Sequence, residues 1–167
     1  MRSIVSACFM IFIFTIVVFG VEKEIVVDLS EQRAYAYEDG SLLFSGRISS
    51  GILGRETPTG EYRVLEKKRY HRSNLWPRPN GGAKMHYMLR LSYDGIAMHL
   101  GYVPNRPASH GCIRMKNGFA QRMFKWAKVG TPVHVEGDAS EYLFRQRMKR
   151  NKRRVVDEEY GIIDFHD

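Results

Sequence analysis

Apolar and polar positions first fall into a regular order at Ile25-Val26-Val27-Asp28-Leu29, a β-branched run of the kind that fills a buried strand. Arg33-Ala34-Tyr35-Ala36-Tyr37 alternates, which predicts a second strand with one face turned inward. Glu38-Asp39-Gly40-Ser41 supplies the turn from there into Leu42-Leu43-Phe44. A loop follows at Ser49-Ser50-Gly51 and Gly54, then a turn at Thr57-Pro58-Thr59-Gly60, where Pro58 presets the backbone angle. Glu61 to Leu65 resumes as a strand. Between Lys67 and Lys84 the periodicity fails, because Trp76-Pro77-Arg78-Pro79-Asn80-Gly81-Gly82 holds no regular element for long. Short apolar runs at Met85–Leu91 and Gly95–Met98 predict two further strands.

Past residue 115 the period lengthens. Phe119, Met123, Trp126 and Ala127 recur at helical spacing behind Asn117, a favourable N-cap residue. Gly130 and Pro132 stop the helix, and Val133-His134-Val135 reads as a closing strand with His134 facing solvent. Ser140 to Val155 predicts a charged helix that carries the basic run 145–154, followed by Asp157-Glu158-Glu159. The residues alone thus give a mostly β unit with one helix, followed by a charged extension, and no internal repeat.

The segment before this pattern changes the setting. Arg2 precedes an almost wholly apolar stretch from Ile4 to Val21, the form of a secretory signal or an N-terminal anchor over residues 1–20. The chain is therefore expected to be exported, to a periplasmic or cell-envelope location. Export also reframes the charge. Of the net +8, the stretch Lys67–Val135 contributes thirteen Lys and Arg against the single acid Asp94. Such a field suits polyanions, and export argues against nucleic acid, leaving carboxylate-rich envelope polymers. With Cys8 inside the leader, Cys112 becomes the lone thiol of a mature exported chain, where cysteines ordinarily pair.

That thiol lies in the segment Ile96–Met115, which reads I-A-M-H-L-G-Y-V-P-N-R-P-A-S-H-G-C-I-R-M. A thiol becomes a nucleophile when a base or a positive field favours its thiolate. His99 and His110 are both candidate bases, and Arg114 adds a fixed positive charge expected to lower the Cys112 pKa. Gly111 permits close backbone approach, so its N–H and that of Cys112 could face a developing oxyanion. The pattern points to acyl transfer. Trp76, Tyr87 and Arg114 are candidate substrate contacts. No Ser has Lys three residues later, which removes the S-x-x-K serine enzymes. No cofactor or metal is implied.

Together with Thr57-Pro58-Thr59-Gly60, the run His99…Ser109-His110-Gly111-Cys112-Ile113-Arg114 resembles the catalytic domain of the L,D-transpeptidases, the YkuD-type family. The resemblance covers residues 22–136 and leaves 137–167 as a charged C-terminal extension. It implies a mainly β fold of packed mixed sheets with the site in a groove. It also implies Cys112 as nucleophile, His99 as proton acceptor and donor, and the Leu100 carbonyl as the group that orients the imidazole. His110, Gly111 and Cys112 would frame the oxyanion, with Ser109 supporting the loop and Arg114 supporting it or holding a substrate carboxylate. The expected substrates are peptidoglycan stem peptides, cross-linked between third-position residues with loss of D-alanine. The same residues would equally serve an L,D-carboxypeptidase or an endopeptidase. A non-catalytic module binding the cell wall through its basic surface is the reading from a different class. The run 145–154 adds a possible contact with an anionic wall or membrane surface.

Overall fold

The structure, a computed structural model, describes residues 20–74 and 81–160, without the side chains of 157–160. Nearly all of the predicted leader, and Trp76, lie outside the described residues. Among the described residues, nine strands and two helices follow one another. The strands are β1 (Lys23–Asp28), β2 (Arg33–Glu38), β3 (Ser41–Ser49), β4 (Gly60–Arg63), β5 (Glu66–Lys68), β6 (Met88–Arg90), β7 (Ala97–Leu100), β8 (Ile113–Met115) and β9 (Pro132–Glu136). Helix α1 (Asn117–Trp126) lies between β8 and β9, and α2 (Ala139–Tyr160) comes last.

The strands form one mixed sheet in the order β4-β9-β1-β2-β3-β8-β7-β6-β5. Its two edge strands, β4 and β5, are separated in sequence by Val64 and Leu65 alone, so the sheet has to curl back towards itself. Main-chain bonds bridge the seam. Val64 donates to Thr131 O at 2.9 Å and accepts from Gly130 N at 2.8 Å, while Leu65 N donates to Arg90 O at 2.8 Å. Two pairings are parallel, β1 with β9 and β7 with β8. The second sets His99 directly opposite Arg114.

The core fills the inside of the curl. Ile25, Val27 and Leu29 of the first strand segment are buried with Ala34 and Ala36 of β2 and with Val133 and Val135 of β9. Val26 and Asp28 are only half-buried, so β1 has one inward face and is not buried on both. Each fully buried Val, Ile or Leu contributes roughly 1.5–3 kcal/mol relative to exposure. The alanines leave room that α1 takes up with Ala120 and Met123, both fully buried. Gly46 of β3 makes space for the Phe119 ring, since a Cβ there would stand 2.5 Å from its Cγ. Trp126 meets Phe44 edge-on at 5.7 Å and donates its Nε1–H to Glu38 at 2.6 Å.

The Asp39-Gly40 turn has φ of +50° and +73°, the left-handed pair that a tight two-residue hairpin requires. Elsewhere the structure departs from the sequence pattern. Asn117 is the first helical residue and not the cap. The N-cap is Lys116, whose side chain makes no capping bond, and Asn117 Oδ1 instead accepts from Gln121 at 2.7 Å. β5 and β8 are three-residue strands whose sequences, Glu-Lys-Lys and Ile-Arg-Met, carry too short a pattern to predict. α2 is longer than expected. From Leu143 to Val156 every one of its side chains is exposed.

Candidate active site

β7 carries Ala97 and His99 on one face and Met98 and Leu100 on the other, as strand alternation requires. Met98 joins the main core, whereas Ala97 packs with Met85 and Met88 in a smaller buried group against which Cys112 rests. His99 lies two residues along from Ala97, on this same side. The parallel partner β8 begins immediately after Cys112, with Ile113 opposite Met98. The register therefore brings Cys112 next to Ala97, on the strand that also carries His99.

His99 is 8% exposed, and its Nδ1 lies 2.8 Å from the Leu100 carbonyl oxygen. A carbonyl only accepts, so Nδ1 must carry the hydrogen, which leaves Nε2 of the neutral ring as an acceptor. The Leu100 carbonyl takes the place of an orienting carboxylate. The Leu100 N–H is itself fixed, donating to His86 O at 2.9 Å. Burial pushes the His99 pKa down from 6.5 to about 4. The Leu100 bond opposes this, while the nearby charges of Arg114 and His71 reinforce it. The ring is consequently a neutral base at neutral pH.

Cys112 is partly buried, with Sγ 3.5 Å from the Gly95 carbonyl oxygen. The Arg114 charge does lower its pKa, as expected, but the net shift is upward. Burial raises it, and this outweighs the Ala97 N–H bonded to the sulfur and the charge of Arg114. The resting pair is thus thiol and neutral imidazole, with desolvation acting on both in the same sense against charge.

The turn that presents the thiol is braced from three sides. Ser109, 1% exposed, donates its hydroxyl to Cys112 O at 2.5 Å and accepts from Gly111 N at 3.2 Å. Gly111 has φ of +109°, a conformation that side chains resist, and this points its carbonyl at the Thr57 hydroxyl, 2.7 Å away. Thr57 also accepts from Gly51 N at 2.9 Å, so one buried hydroxyl ties two loops together. The Ser50 carbonyl receives the N–H groups of both Ala108 and Ser109 at 3.0 Å. Ser50 is held in turn by Gln32, 2% exposed, which bonds its main-chain N–H at 2.9 Å and its hydroxyl at 2.7 Å.

Several predicted residues are placed differently from one another. His99, Leu100, Ser109, Gly111, Cys112 and Arg114 come together on β7, β8 and the turn between them. His110 is in the same turn but exposed. The Gly111 N–H, expected to face the oxyanion, donates to the Ser109 hydroxyl at 3.2 Å in this structure. Tyr87, proposed as a substrate contact, instead packs on the main core with its ring against Phe124 at 5.7 Å, apart from the group around Cys112. Arg114 is half-buried on β8, and Gly101 makes room for its stem, since a Cβ there would lie 2.9 Å from its Cγ. Thr57, Gln32 and Ser50 were not singled out by the sequence. Thr57 alone carried a signal, through its Thr-Pro-Thr-Gly turn.

The family model of the L,D-transpeptidase catalytic domain (YkuD) matches residues 22–135. The chain belongs to this family. No curated protein sequence matches this YkuD chain, but solved structures do. An LD transpeptidase in complex with imipenem shares 25% identity and a TM-score of 0.64 over 70% of this chain and 60% of that one. L,D-transpeptidase 1 of Mycobacterium tuberculosis shares 25% identity and a TM-score of 0.61, covering 71% and 63%. The L,D-transpeptidase of Enterococcus faecium, solved as a cysteine-to-serine mutant, shares 26% and a TM-score of 0.61, covering 69% and 50%. The YkuD chain thus spans less than two thirds of the length of these structures.

Proposed function

We propose that this chain is an exported peptidoglycan L,D-transpeptidase that works through a thioester on Cys112. The observation that carries this reading is the fixed tautomer of His99, whose Nδ1–H is committed to Leu100 O and whose Nε2 is free to take the thiol proton. In the first half-reaction Sγ attacks the carbonyl of the third residue of a donor stem as its proton passes to Nε2. The oxyanion that forms is met by the main-chain N–H of Cys112. The tetrahedral species collapses, D-alanine leaves with the proton from His99, and the thioester remains. In the second half, the side-chain amine of an acceptor stem attacks and gives a proton to His99, and that proton returns to sulfur as the thioester opens. Splitting one acyl transfer into two in this way is the advantage of covalent catalysis.

Arg114, beside His99 in the sheet, suits the carboxylates of the stem. The basic run 145–154 of α2, wholly exposed, suits an anionic wall or membrane surface.

The test is mass spectrometry of the protein incubated with a disaccharide-tetrapeptide, beside Cys112→Ala and His99→Ala. A dimer formed with loss of one D-alanine, absent from both variants, is the expected result. Loss of D-alanine without dimer would make it a carboxypeptidase. Failure to form either product, together with no mass adduct on Cys112 from imipenem, would sink the cysteine reading and leave a wall-binding module.

A further inference from the structure

α2 lies beyond the family-matched residues 22–135, yet its first two turns are built into the molecule. Gly137 enters them at φ of +76°, packed so closely that a Cβ would stand 2.8 Å from Asp28 Oδ1. Asp138 then holds the first turn, accepting from Ser140 N at 2.8 Å and from the Ser140 hydroxyl at 2.7 Å. Tyr142 is 7% exposed, in contrast to every described side chain after it in the helix. Its hydroxyl donates to the carbonyl oxygen of Asn105 at 2.8 Å.

Asn105 stands in the loop 101–108, the connection between His99 on β7 and the turn that carries Cys112. It has φ of +57°, a conformation that a non-glycine residue keeps when its surroundings impose it. Those surroundings are identifiable. Arg47 donates to Asn105 Oδ1 at 3.1 Å, and the Ser49 hydroxyl donates to the next carbonyl, that of Arg106, at 2.7 Å. Both come from β3, on one side of the loop. Tyr142 supplies the hold from α2. One turn further along the helix, Arg145 bonds the Ser30 carbonyl. Ser30 is two residues from Gln32, whose side chain braces Ser50 beneath Ser109. The same stretch of α2 therefore reaches both flanks of the cradle around the thiol.

We infer that Tyr142 is a positioning residue for the Cys112–His99 pair, acting through Asn105, and that the start of the C-terminal extension is a working part of the catalytic unit. This rests on the cysteine reading above. The deletion of one hydroxyl is the sharpest perturbation, because Tyr142→Phe keeps the ring that fills the slot.

Two measurements on the full chain decide it. The first is hydrogen exchange, followed by mass spectrometry, of peptides covering 101–108, with peptides from β1 and β9 as internal references. The second is the rate of imipenem acylation against drug concentration. In Tyr142→Phe the loop should exchange several-fold faster while the references hold. The limiting acylation rate should fall roughly 2- to 10-fold, the factor that one net hydrogen bond represents, with the half-saturating concentration unchanged. Unchanged loop exchange overturns the inference. So does faster exchange with an unchanged limiting rate, which would confine Tyr142 to stability. If the native chain formed no imipenem adduct, the cysteine reading would fall by itself. The exchange comparison would still decide whether Tyr142 holds the loop.

Discussion

β7 and β9 each carry one histidine between apolar neighbours, and the two are driven in opposite directions. His99 sits between Met98 and Leu100, largely buried, and the partner of its Nδ1 is a carbonyl. His134 sits between Val133 and Val135 but turns its ring to the outer face, where Glu61 of β4 and Glu136 bond its two nitrogens. A carbonyl fixes a tautomer without a charge to offset desolvation, so the His99 pKa falls to about 4. The bond to Glu61 favours the imidazolium, so the His134 pKa rises. Strand alternation alone decides which face each ring takes. The proposed chemistry uses the one that is kept neutral.

The largest effect should come from removing the neutral base. His99→Ala is expected to slow acylation of Cys112 by about 10²–10⁴-fold, the usual contribution of a positioned general base. Stopped-flow measurement of imipenem acylation reads this directly. A His134→Ala variant should acylate at the native rate, and a comparable loss there would break the division of roles.

Next in size is the brace beneath the thiol. Thr57→Val leaves the Gly51 N–H and the Gly111 carbonyl without the partner they share. Leaving buried polar groups unpaired costs about 1–3 kcal/mol, which should appear as a lower urea midpoint at unchanged slope. Thr57→Ser keeps the hydroxyl and should restore most of the loss. Equal stability for the valine and serine variants would show that the hydroxyl bears no part of the turn's geometry.

The contrast between the histidines also has a pH signature. Unfolded, both rings titrate near 6.5. As pH falls from there towards 4, the unfolded chain takes up a proton that folded His99 refuses, so stability declines across that window. The amount is on the order of 3 kcal/mol by linkage. His134 acts in the opposite sense. Its folded ring holds a proton above 6.5, so its contribution is complete below that pH and fades as pH rises through the raised value. Denaturant titrations of the native chain and of His99→Gln between pH 4 and 8 should diverge below 6.5. Parallel curves would mean that the buried ring titrates normally.

Much of this site was legible before any coordinates. The candidate cysteine and two candidate histidines follow from one short run of residues, whereas the choice of His99 and the role of the Leu100 carbonyl are what the family resemblance implies. β1, β2 and the Asp39-Gly40 turn follow from alternation and turn chemistry. Illegible elements share a physical cause: they depend on what long-range contact supplies. β8 has three residues and becomes a strand because β3 and β7 flank it. Asn117 has good capping chemistry, yet the chain enters α1 from β8 with Lys116 already in the cap position. The Cys112 pKa depends on a balance between burial and Arg114, and a sequence displays the charge but not the desolvation. Gln32 reaches Ser50 across eighteen residues, and no local pattern announces it.

The smallest effect tests the comparison from its exposed side. Glu61→Gln keeps the shape and removes the charge that sustains the His134 imidazolium. Because the pair is open to solvent and screened by salt, global stability should barely change. The titration of the His134 ring protons, followed by NMR, should nonetheless move back towards 6.5, with Glu136 still holding part of the shift. The His99 resonances should not move at all. Coupled movement of the two rings would mean that charge on the outer face of β9 reaches the buried face of β7. A shift confined to His134 leaves burial, and not the field of the whole sheet, as what keeps the proposed base neutral.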